Sequence, residues 1–246
     1  MSYIIFQCFI IMMVSGESDT GKAQRIVTIV DELYRSSSSK ALLEMEIITP
    51  HWQRTLKIRV YSKGMNQTFM RILEPKKEKG TATLRIGNEM WNYLPKTNKV
   101  IKVPPSLMMG SWMGSDFTND DLVKEFTFLN DYHFQMTTVD QAQTGVLYVK
   151  CIPKDNVPVV WGYVILAVNA DNYLPVWEKF YDEGGELVRE LLFKETRRFG
   201  QRVIPSIMEL IPVQKQGQKT VVRYLEAQFD IPLSDDIFTL RNLRSE

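Results

Sequence analysis

The side chains best able to do chemistry are few and scattered in this chain of 246 residues. There are two histidines, His51 and His133, and two cysteines, Cys8 and Cys151. His51 follows Pro50 at a turn, and His133 alternates with Phe134 as an outward strand residue does. Neither has a Cys or His at metal-ligand spacing. The sequence holds no Gly-rich phosphate loop, no G-x-S-x-G, no H-E-x-x-H and no paired C-x-x-C. Asp120-Asp121 and Asp235-Asp236 stand where helices should start, so capping accounts for them. Cys151 reads as a small buried hydrophobe on a strand. These residues point to no enzyme, no cofactor and no metal.

Pliable apolar side chains form the denser signal. Leu107, Met108, Met109, Trp112, Met113 and Phe117 crowd one short stretch, broken by Gly110 and Gly114, and Phe126 follows soon after. Met70, Trp91 and Tyr93 add to them from strand-like segments. The chemistry this suits is shelter for hydrocarbon. Burying a methylene is worth about 0.8 kcal/mol, so a pliable apolar wall gains by covering hydrocarbon of any source. Unbranched Met adapts to an irregular guest, and Trp offers broad apolar faces. Taken singly, each of these residues reads better as part of a core between helix and sheet. Taken as a group, residues 104–126 read as a lid or binding loop, because long insertions in compact domains tend to be functional.

The elements that must position these residues follow from periodicity. Residues 20–35 form an amphipathic helix with Ile26, Val27, Ile29, Val30 and Leu33 on one side, and Asp19 or Thr20 is its expected N-cap. From Lys40 the period changes to two: Leu43, Met45 and Ile47, then Leu56, Ile58 and Val60, then Met70 and Ile72, then Ala82, Leu84 and Ile86 alternate with polar or outward residues. Turn signals such as Lys63-Gly64 and Gly87-Asn88 separate them. Strand patterns resume after the insertion and run to about residue 231. With about 11 strands, a single antiparallel sheet must curl or close on itself. Hydrophobic and charged fractions of 44% and 24% are ordinary for a globular domain. The formal net charge of +1 gives no reason to expect nucleic acid.

Residues 3–14 are apolar but too short to span a bilayer. They suit the core of a secretory signal, with residues 1–16 removed and 17–246 left as one domain. No Lys or Arg precedes the run, which departs from the usual signal pattern. Gln7 before Cys8 does not fit lipoprotein acylation. No later stretch is apolar enough for a transmembrane helix, so the expected location is periplasmic. Lys76-Lys77-Glu78-Lys79 reads as a solvated turn, or as a contact for an anionic membrane or a partner. Lys194, Arg197 and Arg198 read as an exposed strand face.

Particular residues then carry a family resemblance. Trp91-Asn92-Tyr93-Leu94-Pro95-Lys96, Val103-Pro104, Gly110-Ser111-Trp112-Met113-Gly114-Ser115-Asp116-Phe117, Asp120-Asp121-Leu122 and the terminal Ile237-Phe238-Thr239-Leu240-Arg241-Asn242-Leu243 resemble the outer-membrane lipoprotein-sorting proteins of the LolA/LolB-like superfamily. The resemblance implies a mainly β fold: an incompletely closed antiparallel β-barrel with a helical lid or plug over its concave face. It implies a carrier that holds lipoprotein acyl chains or lipid in a hydrophobic cavity during transit toward the outer membrane. Its implied partners are an inner-membrane transporter and an outer-membrane acceptor. An arginine on an early strand of the better-known carrier helps hold the lid shut; Arg59 and Arg71 match by position only. Two other roles stay open on the same fold: a lipid-sensing or protein-interaction module, and an accessory subunit of an inner-membrane lipid transporter. If the lid reading holds, Trp112→Ala should weaken lipid retention more than stability.

Overall fold

A computed structural model describes residues 18–34, 36–124, 128–157 and 159–244. The expected signal segment, Cys8 and Phe126 lie outside the described residues. Helix α1 (Asp19–Tyr34) leads into strands β1 (Ser38–Ile48), β2 (Gln53–Lys63), β3 (Gln67–Glu74), β4 (Ala82–Ile86), β5 (Glu89–Leu94) and β6 (Lys99–Lys102). An insertion of 3₁₀ turns and the short helices α2 (Asn119–Lys124) and α3 (Phe128–Asp131) follows. The second meander is β7 (Tyr132–Thr137), β8 (Val146–Pro153), β9 (Tyr163–Asn169), β10 (Pro175–Tyr181), β11 (Leu187–Phe199), β12 (Arg202–Pro212) and β13 (Lys219–Phe229), before the terminal α4 (Leu240–Arg244).

All 13 strands form one antiparallel sheet in the order β6-β5-β4-β3-β2-β1-β13-β12-β11-β10-β9-β8-β7. The two meanders join where β1 pairs with β13, while β6 and β7 remain edges, so the barrel is incompletely closed. The expectation of about 11 strands is low. The β6 pattern Lys-Val-Ile-Lys is only four residues long and carries too little alternation to register as a strand.

Irregularities help a sheet this large to curl. Pairing slips at Leu42/Leu43, Lys57/Ile58, Pro175/Trp177 and Phe180/Tyr181, and each slip bends its strand. Glu195 takes a φ of 50° within β11, where the Ser206 hydroxyl donates to its carbonyl at 2.5 Å, and the register with β12 is kept on both sides.

Hairpin register defines two rims. Turns 49–52, 75–81, 95–98, 182–186 and 213–218 lie on one, and turns 64–66, 87–88 and 200–201 on the other. Helix α1 closes the second rim. Ala23, Ile26 and Val27 are buried against Tyr132, Phe134, Val149 and Leu166. The Tyr34 hydroxyl donates to the Pro205 carbonyl at 2.8 Å, and Arg202 donates to the Glu32 carbonyl at 2.9 Å. Ser18 is the helix cap, its hydroxyl accepting from the Gly21 amide at 3.1 Å, one residue before the expected position.

Both faces of the β3–β5 region are covered. Phe69, Ala82, Leu84 and Tyr93 pack on the convex side against Phe238 and Leu243 of the terminal segment. On the concave side Met45, Ile47, Leu56, Ile58 and Ile72 pack against Trp112 of the insertion.

Candidate binding cavity

Between α1, the concave sheet face and the insertion lies a cavity of about 320 Å³. Leu43 and Met45 of β1, Val60 of β2, Met70 of β3, Leu191 and Phe193 of β11 and Met208 of β12 form its sheet wall. Period-two alternation places them: each shares its strand with outward neighbours of the opposite phase. Val27, Val30 and Tyr34 of α1 form a second wall, and Trp112, Phe117 and Leu122 a third. The β8–β9 loop adds Trp161, which Gly162 follows. A Cβ on Gly162 would stand 2.2 Å from the Asp182 carbonyl oxygen, so only glycine lets this loop pass.

The insertion has two parts with different fastenings. Residues 111–118 are a clip. Ser111 bridges Thr118, the Trp112 amide donates to the Phe117 carbonyl at 2.8 Å, and the Ser115 hydroxyl donates to the Trp112 carbonyl at 2.7 Å. Met113 (φ 50°) and Gly114 (φ 76°) both adopt left-handed backbone, a strained choice for Met that its surroundings must hold. Arg54 of β2 does so by donating to the Met113 carbonyl. The Trp112 indole is 2% exposed and donates to the Thr83 hydroxyl at 3.1 Å. Asp116 accepts from Gln218 at 2.6 Å and from the Thr220 hydroxyl at 2.7 Å, tying the clip to β13.

Helix α2 hangs on a different device. Thr118 and Asp121 cap it reciprocally: the Thr118 amide donates to Asp121 Oδ2 at 2.8 Å, and the Asp121 amide to the Thr118 hydroxyl at 3.0 Å. The same Asp121 carboxylate takes both ends of the Arg189 guanidinium, Nη1 at 2.8 Å and Nη2 at 2.6 Å. Arg189 reaches across from β11, stacked 4.4 Å from the Trp161 ring centroid and 4.3 Å from that of Phe180. Burial opposes ionisation of Asp121. The Arg189 hydrogen bonds and charge, with the Thr118 amide and hydroxyl, outweigh it and hold the carboxyl below its ordinary value. Burial, with the carboxylates of Asp131 and Asp120 behind it, pushes the Tyr132 hydroxyl up, so the cavity wall stays neutral there. Burial likewise keeps the Cys151 thiol protonated.

The residues singled out from sequence separate into groups. Met70, Trp112 and Phe117 line the cavity. Met113 packs beside them against the core under the clip. Leu107 and Met109 are 58% and 48% exposed on the outer turn, and neither they nor Met108 line the cavity. Trp91 and Tyr93 lie on the convex face, where the Tyr93 hydroxyl donates to Asn98 at 3.2 Å. Alternation alone could not place them, because terminal residues 233–243 give the convex face an apolar cover of its own. Arg59 and Arg71 pair across β2 and β3 on that same convex side. Arg71 donates to the Asn242 carbonyl at 2.8 Å, so it fastens the terminal helix instead of the lid. The arginine that grips the insertion is Arg189, on a late strand. Its signal was present: Arg189 falls in phase with inward Leu191 and Phe193, and an inward cation requires a partner.

Comparison with known proteins places this geometry. A family model described as "Uncharacterized protein" matches residues 64–245. The chain belongs to that family. Its fold is that of the LolA/LolB-like superfamily. A Desulfovibrio piger protein of the DUF1329 family matches with a TM-score of 0.80 and 21% identity over 92% of this chain and 99% of that one. A domain from Vibrio parahaemolyticus assigned to outer-membrane lipoprotein sorting matches with a TM-score of 0.78 and 21% identity over 91% and 99%. The LolA superfamily protein NE2245 from Nitrosomonas europaea matches with a TM-score of 0.73 and 24% identity over 89% and 98%. No curated protein matches the sequence. No helix among the described residues is long and apolar enough to cross a membrane, and no group of three His, Cys, Asp or Glu among them is placed to hold a metal.

Proposed function

We propose that this LolA-like chain is a periplasmic carrier that shelters acyl chains of a lipoprotein or lipid on their way toward the outer membrane. The observation that carries the reading is the cavity itself: about 320 Å³ of space walled mainly by Leu, Val, Met and aromatic side chains, with Asp31, Asp120, Asp131, Glu178 and the Asp121–Arg189 pair also in its lining. That falls within the size of pockets that bury small ligands, and aliphatic walls favour hydrocarbon. Residues 17–246 act as one unit. Met70, Trp112 and Phe117 touch the cargo, joined by Leu43, Val60 and Met208. The role is binding and release, with an inner-membrane donor and an outer-membrane acceptor as the implied partners.

Native mass spectrometry after gentle purification tests this. The expected result is protein carrying a lipid mass that solvent extraction removes, and uptake of a spin-labelled or fluorescent fatty acid once it is emptied. A protein that is purified empty and takes up no acyl probe would overturn the reading.

A further inference from the structure

The first rim carries a surface that cargo binding does not use. Turn 75–81 presents Lys76, Lys77 and Lys79, all exposed. Turn 95–98 and the start of β6 present Lys96 and Lys99, also exposed. The turns touch: a Cβ on Gly80 would sit 3.6 Å from the Pro95 ring. The carboxylates of this region are matched elsewhere. Glu74 pairs with Lys57 at 3.6 Å and Glu78 with Arg54 at 3.6 Å. None of the five lysines has an ion-pair partner among the described residues. In a chain of net charge +1, this is a local excess and not a global one.

Apolar groups accompany the charge. Leu94 and Lys99 face each other across β5 and β6, and Ile101 shares their face, 46% exposed on an edge strand. Trp52, 47% exposed in turn 49–52, stacks 5.6 Å from the Arg54 guanidinium. Exposed Trp beside lysines is the composition of a bilayer interface, where indole sits among headgroups and ammonium groups meet phosphate.

We propose that the corner of this rim formed by turns 49–52, 75–81 and 95–98 docks on an anionic phospholipid bilayer. Arg54 joins the surface to the cavity cover: it pairs with Glu78 of the basic turn and bonds the Met113 carbonyl of the clip. Docking therefore sets the covered mouth of the barrel toward the membrane from which cargo enters or to which it leaves. Lys76, Lys77, Lys79, Lys96 and Lys99 supply the attraction, and Trp52, Leu94 and Ile101 seat in the headgroup layer.

Vesicle flotation of the full chain tests the proposal, with no cargo needed, so its outcome is separate from that of the carrier reading. The probes are vesicles of phosphatidylcholine alone and of phosphatidylcholine with phosphatidylglycerol. Each lysine near an anionic surface raises affinity roughly fivefold. K76Q/K77Q should therefore lose about 25-fold in partitioning onto the anionic vesicles, while R197Q/R198Q, the same change of charge on the opposite rim, should lose little. Binding of the native chain should fall steeply between 0.05 and about 0.5 M salt. Equal partitioning of the native chain onto neutral and anionic vesicles would overturn the proposal. So would equal losses in the two double variants.

Discussion

Asp121→Asn isolates the device that holds α2. The substitution keeps shape and removes charge, leaving the Arg189 guanidinium facing an amide in a site where its side chain is 9% exposed. Breaking one partner of a buried ion pair costs about 3–5 kcal/mol, because the remaining charge has no compensation. The Asp121 side chain is 19% exposed, so water reaches it and the lower end of that range, about 3 kcal/mol, is expected. The loss should be local, since the clip and β1–β13 keep their own bonds. Hydrogen exchange followed by mass spectrometry should then show amides of residues 119–124 exchanging about a hundredfold faster, as 1.4 kcal/mol is tenfold. Amides of β1 and β13 should be unchanged. The Asp121→Leu/Arg189→Met double variant, which removes both charges, should recover much of the protection. The pH dependence has a definite sign. Asp121 is held below its ordinary value, so its contribution is complete above the ordinary carboxylate range and is lost as pH falls through the depressed value. Native α2 should therefore loosen only in acid, below about pH 4, and that step should be missing in Asp121→Asn. Exchange within threefold of native in Asp121→Asn, or a double variant no better protected than the single, would refute the latch.

Three further outcomes follow from the cavity and its neighbours. Trp112→Ala should cost about 3–5 kcal/mol and lower the melting temperature by roughly 10 °C, since the indole is buried and bonded to Thr83; this reverses the expectation that lipid retention suffers more than stability, and calorimetry decides it. Val60→Trp should fill the cavity from β2 and abolish co-purified lipid while far-ultraviolet circular dichroism stays native; lipid at wild-type level in that variant would move the site elsewhere. Cys151 should resist thiol reagents in the native state and react at once in denaturant, because burial raises its thiol far above its ordinary value.

Period-two alternation made the meanders legible, and with them the inward phase of Met45, Ile58, Met70 and Ile72. It also marked α1, whose apolar stripe is a property of one element read alone. Placement on a face was legible only where a single face is covered. Trp91 and Tyr93 alternate as cleanly as Met70 and Ile72, yet they pack on the convex side beneath Phe238 and Leu243. No local pattern carries that information, since it depends on where a segment some 140 residues later comes to rest. For the arginines the phase does separate the faces: Arg71 alternates with inward Met70 and Ile72, whereas Arg189 is in phase with inward Leu191 and Phe193. What no local pattern gives is the partner, the Asn242 carbonyl or the Asp121 carboxylate. The cluster at 107–117 was legible as a group and misleading in detail: its most hydrophobic-looking turn, Leu107 to Met109, is outside the cavity, and its Trp is an anchor.

Relative fastening decides which mouth of the barrel opens. At the second rim, releasing α1 exposes Ile26 and Val27, both at most 2% exposed, and breaks the Tyr34 and Arg202 bonds. Fully burying each such aliphatic side chain is worth about 1.5–3 kcal/mol, so that door costs on the order of 5 kcal/mol before the hydrogen bonds are counted. At the first rim the clip is held by Trp112, Asp116 and the Arg54 bond together, and it too is costly to lift. Helix α2 is held by its cap, by the Asp121–Arg189 pair and by the turn before it, where the Asn119 side chain donates to the Leu107 and Gly110 carbonyls at 3.0 and 3.2 Å and the Asp120 amide to the Met108 carbonyl at 2.8 Å. Its cap partner Thr118 is also the last residue of the clip, bridged to Ser111, so the two parts of the insertion are joined at that residue. Asp121 and Leu122 of α2 line the same cavity as Arg189, Leu191, Phe193 and Met208, so in the carrier reading an entering acyl chain would pass between α2 and β11.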